Sequence, residues 1–226
     1  MGVTSVEKGR RRQQALFDLL SQYQAATTDQ LASILWAGDQ RLARGHLLRY
    51  VREGQLRRFP HPIYRHGPYV YTRSDRRTAH SQKVLHHLAA MDLHVAAIRQ
   101  LGRLGARIIP EMPWGPGLIP DQTILWKDAV WAVEHHLSGE FGHGADYRRF
   151  MEEEQYETCH WWRHGIRLGL LVVTHSMHVE HTKSRLKRYN PPGLTWRVAV
   201  RENVLRDPGP YLKSPTTTQN RAEQPG

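Results

Sequence analysis

From Ala15 to Val51 the apolar residues recur at helical spacing, and from Arg107 to Leu137 they fall into short strand-like runs. A polar stretch without large apolar residues, Thr72 to Gln82 (TRSDRRTAHSQ), lies between the two patterns. A 3.6-residue period and a 2-residue period bury different faces, so a chain that changes period across a polar segment is expected to pack as two bodies. At 226 residues, with 39% hydrophobic and 23% charged residues, it has enough apolar material for two small cores. No internal repeat is visible.

Charge follows the same division. Of the formal net charge of +11, +8 lies before position 81, carried by Lys8 and thirteen arginines against six acids. Such a surplus favours a polyanionic partner, nucleic acid first and an anionic membrane next. The one cysteine, Cys159, rules out an intrachain disulfide and a cysteine-built zinc site, which fits a reducing compartment. No apolar stretch follows the basic residues near Met1, and no run approaches the roughly 18 apolar residues a span needs. A cytoplasmic protein without a membrane partner is expected.

The first third predicts three short helices. Ala15, Leu16, Leu19, Leu20 and Tyr23 mark one from about Arg12 to Gln24, after a basic flexible tail over 1–11. Thr27 and Gln30 form a capping-box pattern for a second, which buries Leu31, Ile34 and Leu35. Asp39 caps a third, with Leu42, Leu47, Tyr50 and Val51 as its stripe and Gly54 as its stop. Leu56 to Arg58 and Tyr69 to Thr72 read as two strands around a turn rich in proline and glycine. The run HLLRYVREGQLRR (His46 to Arg58) followed by a tyrosine-bearing strand resembles the recognition helix and wing of many winged-helix regulators.

That resemblance implies a winged helix-turn-helix over 12–74 bound to double-stranded DNA. Arg41, Arg44, Gly45 and His46 lie in the N-terminal part of the third helix, off its apolar stripe, and Arg49 and Arg52 lie further along. Arg41 and Arg44 are expected to reach guanine edges or phosphates. Arg57, Arg58 and Arg65 near the wing suit phosphate contact, which fixes position without reading sequence. The alternatives are a solvated helix face or a protein-protein adaptor.

After a linker over 75–82, the remainder predicts a helix (Ser81 to Leu104) and strands at Arg107 to Pro110, Gln122 to Trp126 and Ala129 to Leu137. A helix (Asp146 to Trp162), a strand (Leu168 to Thr174), a helix (Val179 to Tyr189) and a closing strand (Thr195 to Val200) follow. This αβββαβαβ order, with one antiparallel hairpin, predicts helices packed on a mixed sheet over 83–206; the whole chain is expected to be α+β. The segment 207–226, rich in Pro, Thr, Gln and Gly, is expected to be disordered.

The order is similar to that of restriction-endonuclease-like, or PD-(D/E)XK, nucleases. Pro120-Asp121 opens the second strand, and Glu134-His135-His136 lies on the third. Side chains alternate along a strand, so Glu134 and His136 share a face, and Asp121 and Glu134 are candidates to bind one Mg²⁺. Winged helix, linker, long helix and this hairpin together resemble the replication-relaxation family of plasmids and other mobile elements, over nearly the whole chain to about Tyr189. The resemblance implies a role in replication control or transcription regulation, with replication or conjugation proteins and a second copy of the chain as further partners. His136 stands where active enzymes carry a lysine, so a nuclease-like domain retained for binding or assembly is expected. The rival is a Mg²⁺-dependent endonuclease using Asp121, Glu134 and His136.

Other candidates have plainer readings. His175, His178 and His181 have transition-metal chemistry, but surface or phosphate-contacting histidines are favoured, because a spacing of three shares one face only on a helix and His175 is expected still to lie in the strand. Glu111 is read as a loop carboxylate. Trp114, Trp126, Trp131, Trp161, Trp162 and Trp196 are read as packing residues before base-stacking ones.

Overall fold

A computed structural model describes residues 4–64, 66–75, 81–137, 143–153, 155–159 and 166–214. Arg65, Trp161, Trp162, the middle of the expected linker (76–80) and the end of the expected tail (215–226) lie outside the described residues. The chain is mixed α and β, with a three-stranded antiparallel sheet and a separate mixed sheet of five strands. It divides into two compact units, Met1–Val95 and Ala96–Gly226. Among the described residues no helix is long and apolar enough to cross a membrane.

In the first unit, α1 runs over Ser5–Tyr23. Residues 5–11, expected to belong to a flexible tail, are therefore helical. Thr4 accepts a hydrogen bond from the Glu7 amide at 3.2 Å, and Arg11 pairs with Glu7 one turn away at 2.9 Å. Lys, Arg, Glu and Gln are good helix formers that leave no apolar periodicity when every side chain faces water. The second half of α1 buries Leu16, Leu19, Leu20 and Tyr23.

Helix α2 (Thr28–Leu35) opens on the expected capping box: the Thr27 hydroxyl accepts from the Gln30 amide, and the Gln30 side chain accepts from the Thr27 amide. Helix α3 (Gln40–Arg52) is capped by Asp39, whose carboxylate accepts from the Leu42 amide at 2.9 Å. Strands β1 (Ala26–Thr27), β2 (Leu56–Phe59) and β3 (Val70–Arg73) form the small sheet in the order β1-β3-β2. One core gathers Leu16 and Leu20 of α1, Leu31 of α2, Ala43, Leu47 and Tyr50 of α3, and Leu56 and Tyr71 of the sheet.

Helix α4 covers Ser81–Leu101, and the boundary between the units falls within it rather than in the expected linker over 75–82. Ala90 and Met91 join the first core, while Val84 and Leu88 pack with Ala25 and Val70. Polar groups reinforce this seat. The Gln30 amide nitrogen donates to the Leu88 carbonyl (2.9 Å) and to Asp92 (2.7 Å), and the Tyr23 hydroxyl shares a hydrogen bond of 2.5 Å with His94 Nδ1. Because α4 carries apolar residues around its whole circumference, its first part finds cover where the sequence pattern alone assigns it to the second body.

His94 is only 7% exposed, and burial lowers its pKa to about 4 from the ordinary 6.5. Between those values the unfolded chain takes up a proton that the folded chain refuses. Folding stability is therefore expected to be full above about pH 6.5 and to fall by on the order of 3 kcal/mol as the pH drops to about 4. Denaturant unfolding across this range is the check. His94→Gln should flatten the loss in this window, and an unchanged profile in that variant would assign the effect elsewhere.

In the second unit the strands are β4 (Arg107–Pro110), β5 (Gln122–Trp126), β6 (Ala129–His136), β7 (Arg167–Thr174) and β8 (Thr195–Val200). They lie in sequence order; β4, β5 and β6 are antiparallel neighbours, and β7 and β8 continue the sheet in parallel. Helices α5 (Gly144–Glu152) and α6 (Val179–Tyr189) supply Tyr147, Phe150 and Leu186 to a core with Val130, Ala132, Leu170 and Val172. Helix α5 ends at Glu152, ten residues before the expected Trp162.

Trp131 and Gly169 belong to the other parity of β6 and β7. A Cβ on Gly169 would come within 2.6 Å of the Trp131 ring, so glycine is what lets that ring lie flat on β7. The described residues end with α7 (Arg201–Arg206), α8 (Gly209–Leu212) and two residues beyond it. Residues 207–214, expected to be part of a disordered tail, are thus folded. Leu212 is fully buried, the Trp131 indole N–H donates to its carbonyl at 3.0 Å, and Arg197 donates to the carbonyls of Pro210, Tyr211 and Lys213. Side chains satisfying backbone carbonyls hold this segment, and they leave no trace in its own composition.

Candidate functional site

At 100° per residue, Arg41, Gly45, Arg49 and Arg52 come round to the side of α3 opposite the buried Ala43, Leu47 and Tyr50, with Arg44 on one flank. All four of these arginines are exposed. No hydrogen bond or ion pair among the described residues engages Arg41, Arg44 or Arg52. Arg49 is engaged within its own helix: it donates to the Tyr50 hydroxyl at 3.1 Å, lies 4.9 Å from the centre of that ring and 3.6 Å from Glu53.

His46 has another occupation. Its ring stacks on Trp36 at 5.7 Å between centroids, and the Arg12 guanidinium lies 5.9 Å over the same indole. Burial, then Arg49, then Arg12 lower the His46 pKa, so the imidazole is neutral near pH 7. It helps anchor α3 to the unit and offers no charge.

Strand alternation separates the hairpin arginines that the sequence groups together. Arg58 faces Tyr71 across the β2/β3 ladder, Arg57 faces Thr72, and neighbours in a strand point to opposite sides. Arg58 lies 4.1 Å over the Tyr69 ring and shares a hollow with Arg44, Thr28, Asp29 and Tyr71. Arg57 is exposed, has no such partner among the described residues, and is directed away from that hollow.

In the second unit the sheet register brings Asp121 and Glu134 together: Gln122 pairs with Val133, which sets Asp121 opposite Glu134. Asp121 accepts from the His135 amide at 2.7 Å. Glu134, 4% exposed, accepts from the Tyr147 hydroxyl of α5 at 2.7 Å. Burial first and the Asp121 carboxylate second push the Glu134 pKa well above the usual carboxyl range, and burial beside Glu134 raises that of Tyr147. His135 turns to the other face and bonds Gln122 at 2.9 Å, whereas His136 has the parity of Glu134 and its carbonyl accepts from the Thr174 hydroxyl at 2.8 Å.

Asp121 and Glu134 are the two carboxylates that would face a Mg²⁺ ion, and the protein already engages one oxygen of each. A protein Mg²⁺ site offers ionised oxygens at an open octahedral position. Here Tyr147 donates to Glu134, the His135 amide donates to Asp121, and β6 carries no lysine. Among the described residues no three His, Cys, Asp or Glu side chains are grouped to hold a metal, which applies equally to His175, His178 and His181. His175 lies 3.9 Å from Glu202. Glu111 is exposed in its loop.

Tyr69, Trp36, Arg12 and Tyr147 join these sites without being among the site residues expected from the sequence. Tyr69 beside a strand of basic partner residues carried some signal; the other three act through contacts between segments distant in sequence. Compared with protein-family models, curated proteins and solved structures, the chain has no match.

Proposed function

We propose that this chain is a double-stranded DNA-binding protein of a plasmid or similar mobile element, acting in replication control or transcription regulation. In this reading the first unit docks as a winged helix, with α3 in the major groove and the β2/β3 hairpin beside it. The second, nuclease-like unit serves binding or assembly, with Lys187 and Arg188 exposed on α6 for further backbone contact. One observation carries the reading: Arg41, Arg44, Arg52 and Arg57 are exposed, and no acid engages them within hydrogen-bond or ion-pair distance among the described residues. Cations left without internal partners are those that release counterions when a phosphate backbone takes their place.

Fluorescence anisotropy of the full chain with a labelled random-sequence duplex tests the proposal, with unlabelled duplex and polyglutamate of matched charge as competitors. Displacement by duplex alone is the expected result. Equal displacement by polyglutamate would reduce the surface to a general anion binder.

The convergence of Asp121 and Glu134 favours a second reading, metal-dependent cleavage, and incubation of supercoiled plasmid with Mg²⁺ or Mn²⁺ decides it. No nicking above background is expected from the wild type. Nicking that Asp121→Ala abolishes would restore the nuclease reading.

A further inference from the structure

Gly45 sits in the middle of α3, on the exposed side, and nothing in the fold explains it. A Cβ built there meets no atom within 4 Å, and its φ is not in the left-handed region that asks for glycine. The helix runs through it without a break from Gln40 to Arg52. Neither close packing nor backbone conformation nor a kink requires a missing side chain, while glycine inside a helix weakens it relative to alanine by enlarging the freedom of the unfolded chain.

Its surroundings point outward. Arg41 lies one turn before it and Arg49 one turn after, and with Asp39, Leu42 and His46 these three line a shallow open hollow. Arginine side chains are long, so the depth to which such a helix enters a groove is limited by what stands between them. With no Cβ at position 45 the backbone itself forms the leading surface.

We propose that Gly45 is a specificity-determining position for duplex DNA: the point where the α3 backbone comes closest to the base edges. Its missing side chain lets Arg41 and Arg44 reach those edges rather than the phosphates alone. This rests on the DNA-binding reading above and adds to it a constraint of depth, separate from charge.

The test uses the full chain and a pool of 30-base-pair duplexes with randomised centres, from which the wild type enriches a preferred duplex. On that duplex Gly45→Ala is expected to lose about tenfold in affinity and Gly45→Leu more, the scale of one lost base contact. The melting temperature of Gly45→Ala should rise by roughly 2–4 °C, because alanine is the better helix former. Gly9→Ala is the control: Gly9 is the comparable glycine inside α1, also with open space around its Cβ position. It should gain stability and keep wild-type affinity.

Wild-type affinity in both Gly45 variants, or an equal loss in Gly9→Ala, would overturn the inference. If Arg44→Ala still weakens binding in that case, the DNA-binding reading stands without it. A wild type that binds no member of the pool would overturn both.

Discussion

Replacing Arg41 and Arg44 together with alanine is expected to lower duplex affinity by on the order of a hundredfold near 0.1 M salt and to leave the melting temperature nearly unchanged. Both guanidinium groups are exposed, and no other described side chain engages them in the free protein, so their removal breaks nothing in the fold. In the proposed complex with duplex DNA each would supply either a charge-assisted phosphate contact or a bidentate base contact, and the loss of two compounds. Arg49→Ala should cost less, because that side chain is already held by Tyr50 and Glu53. Anisotropy titrations of the three proteins give the comparison. Equal affinities for wild type and double variant would remove α3 from the binding surface.

The largest expected effect on stability is at Trp131. Its ring is fully buried on Gly169, Arg197 lies 4.6 Å over it, and its indole N–H donates to the Leu212 carbonyl at 3.0 Å. Trp131→Ala should destabilise the second unit by about 3–5 kcal/mol through lost burial and the cavity left behind. Trp131→Phe keeps much of the packing but strands a buried carbonyl, which is expected to cost about 1–3 kcal/mol. Denaturant unfolding measures both. If the alanine variant lost less than about 1 kcal/mol, the closing segment would be held without this residue.

What the sequence discloses and what it conceals divide along physical lines. Local chemistry is legible: Thr27 with Gln30 and Asp39 set the starts of α2 and α3, and the parity of β6 separates Glu134 from His135. Features that depend on distant partners are not. Residues 207–214 look unable to fold until Trp131 and Arg197 are seen to satisfy their carbonyls. Adjacent Arg57 and Arg58 read as one basic pair until the register with Thr72 and Tyr71 parts them. His46 reads as a groove contact until Trp36 is found beneath it. Asp121 and Glu134 are placed together by the register of the β5/β6 hairpin, yet Tyr147, which donates to Glu134, comes from a helix after β6 and has no spacing rule connecting it to them.

In the proposed complex Arg41, Arg44 and Arg52 of α3 and Arg57 of the hairpin, which no other described side chain engages, neutralise phosphates of a duplex. The logarithm of the binding constant of the full chain for a 30-base-pair duplex, measured against the logarithm of salt concentration, tests it most directly. With about four to five such contacts the slope is expected to be near −4. A slope close to zero, at any affinity, would contradict it.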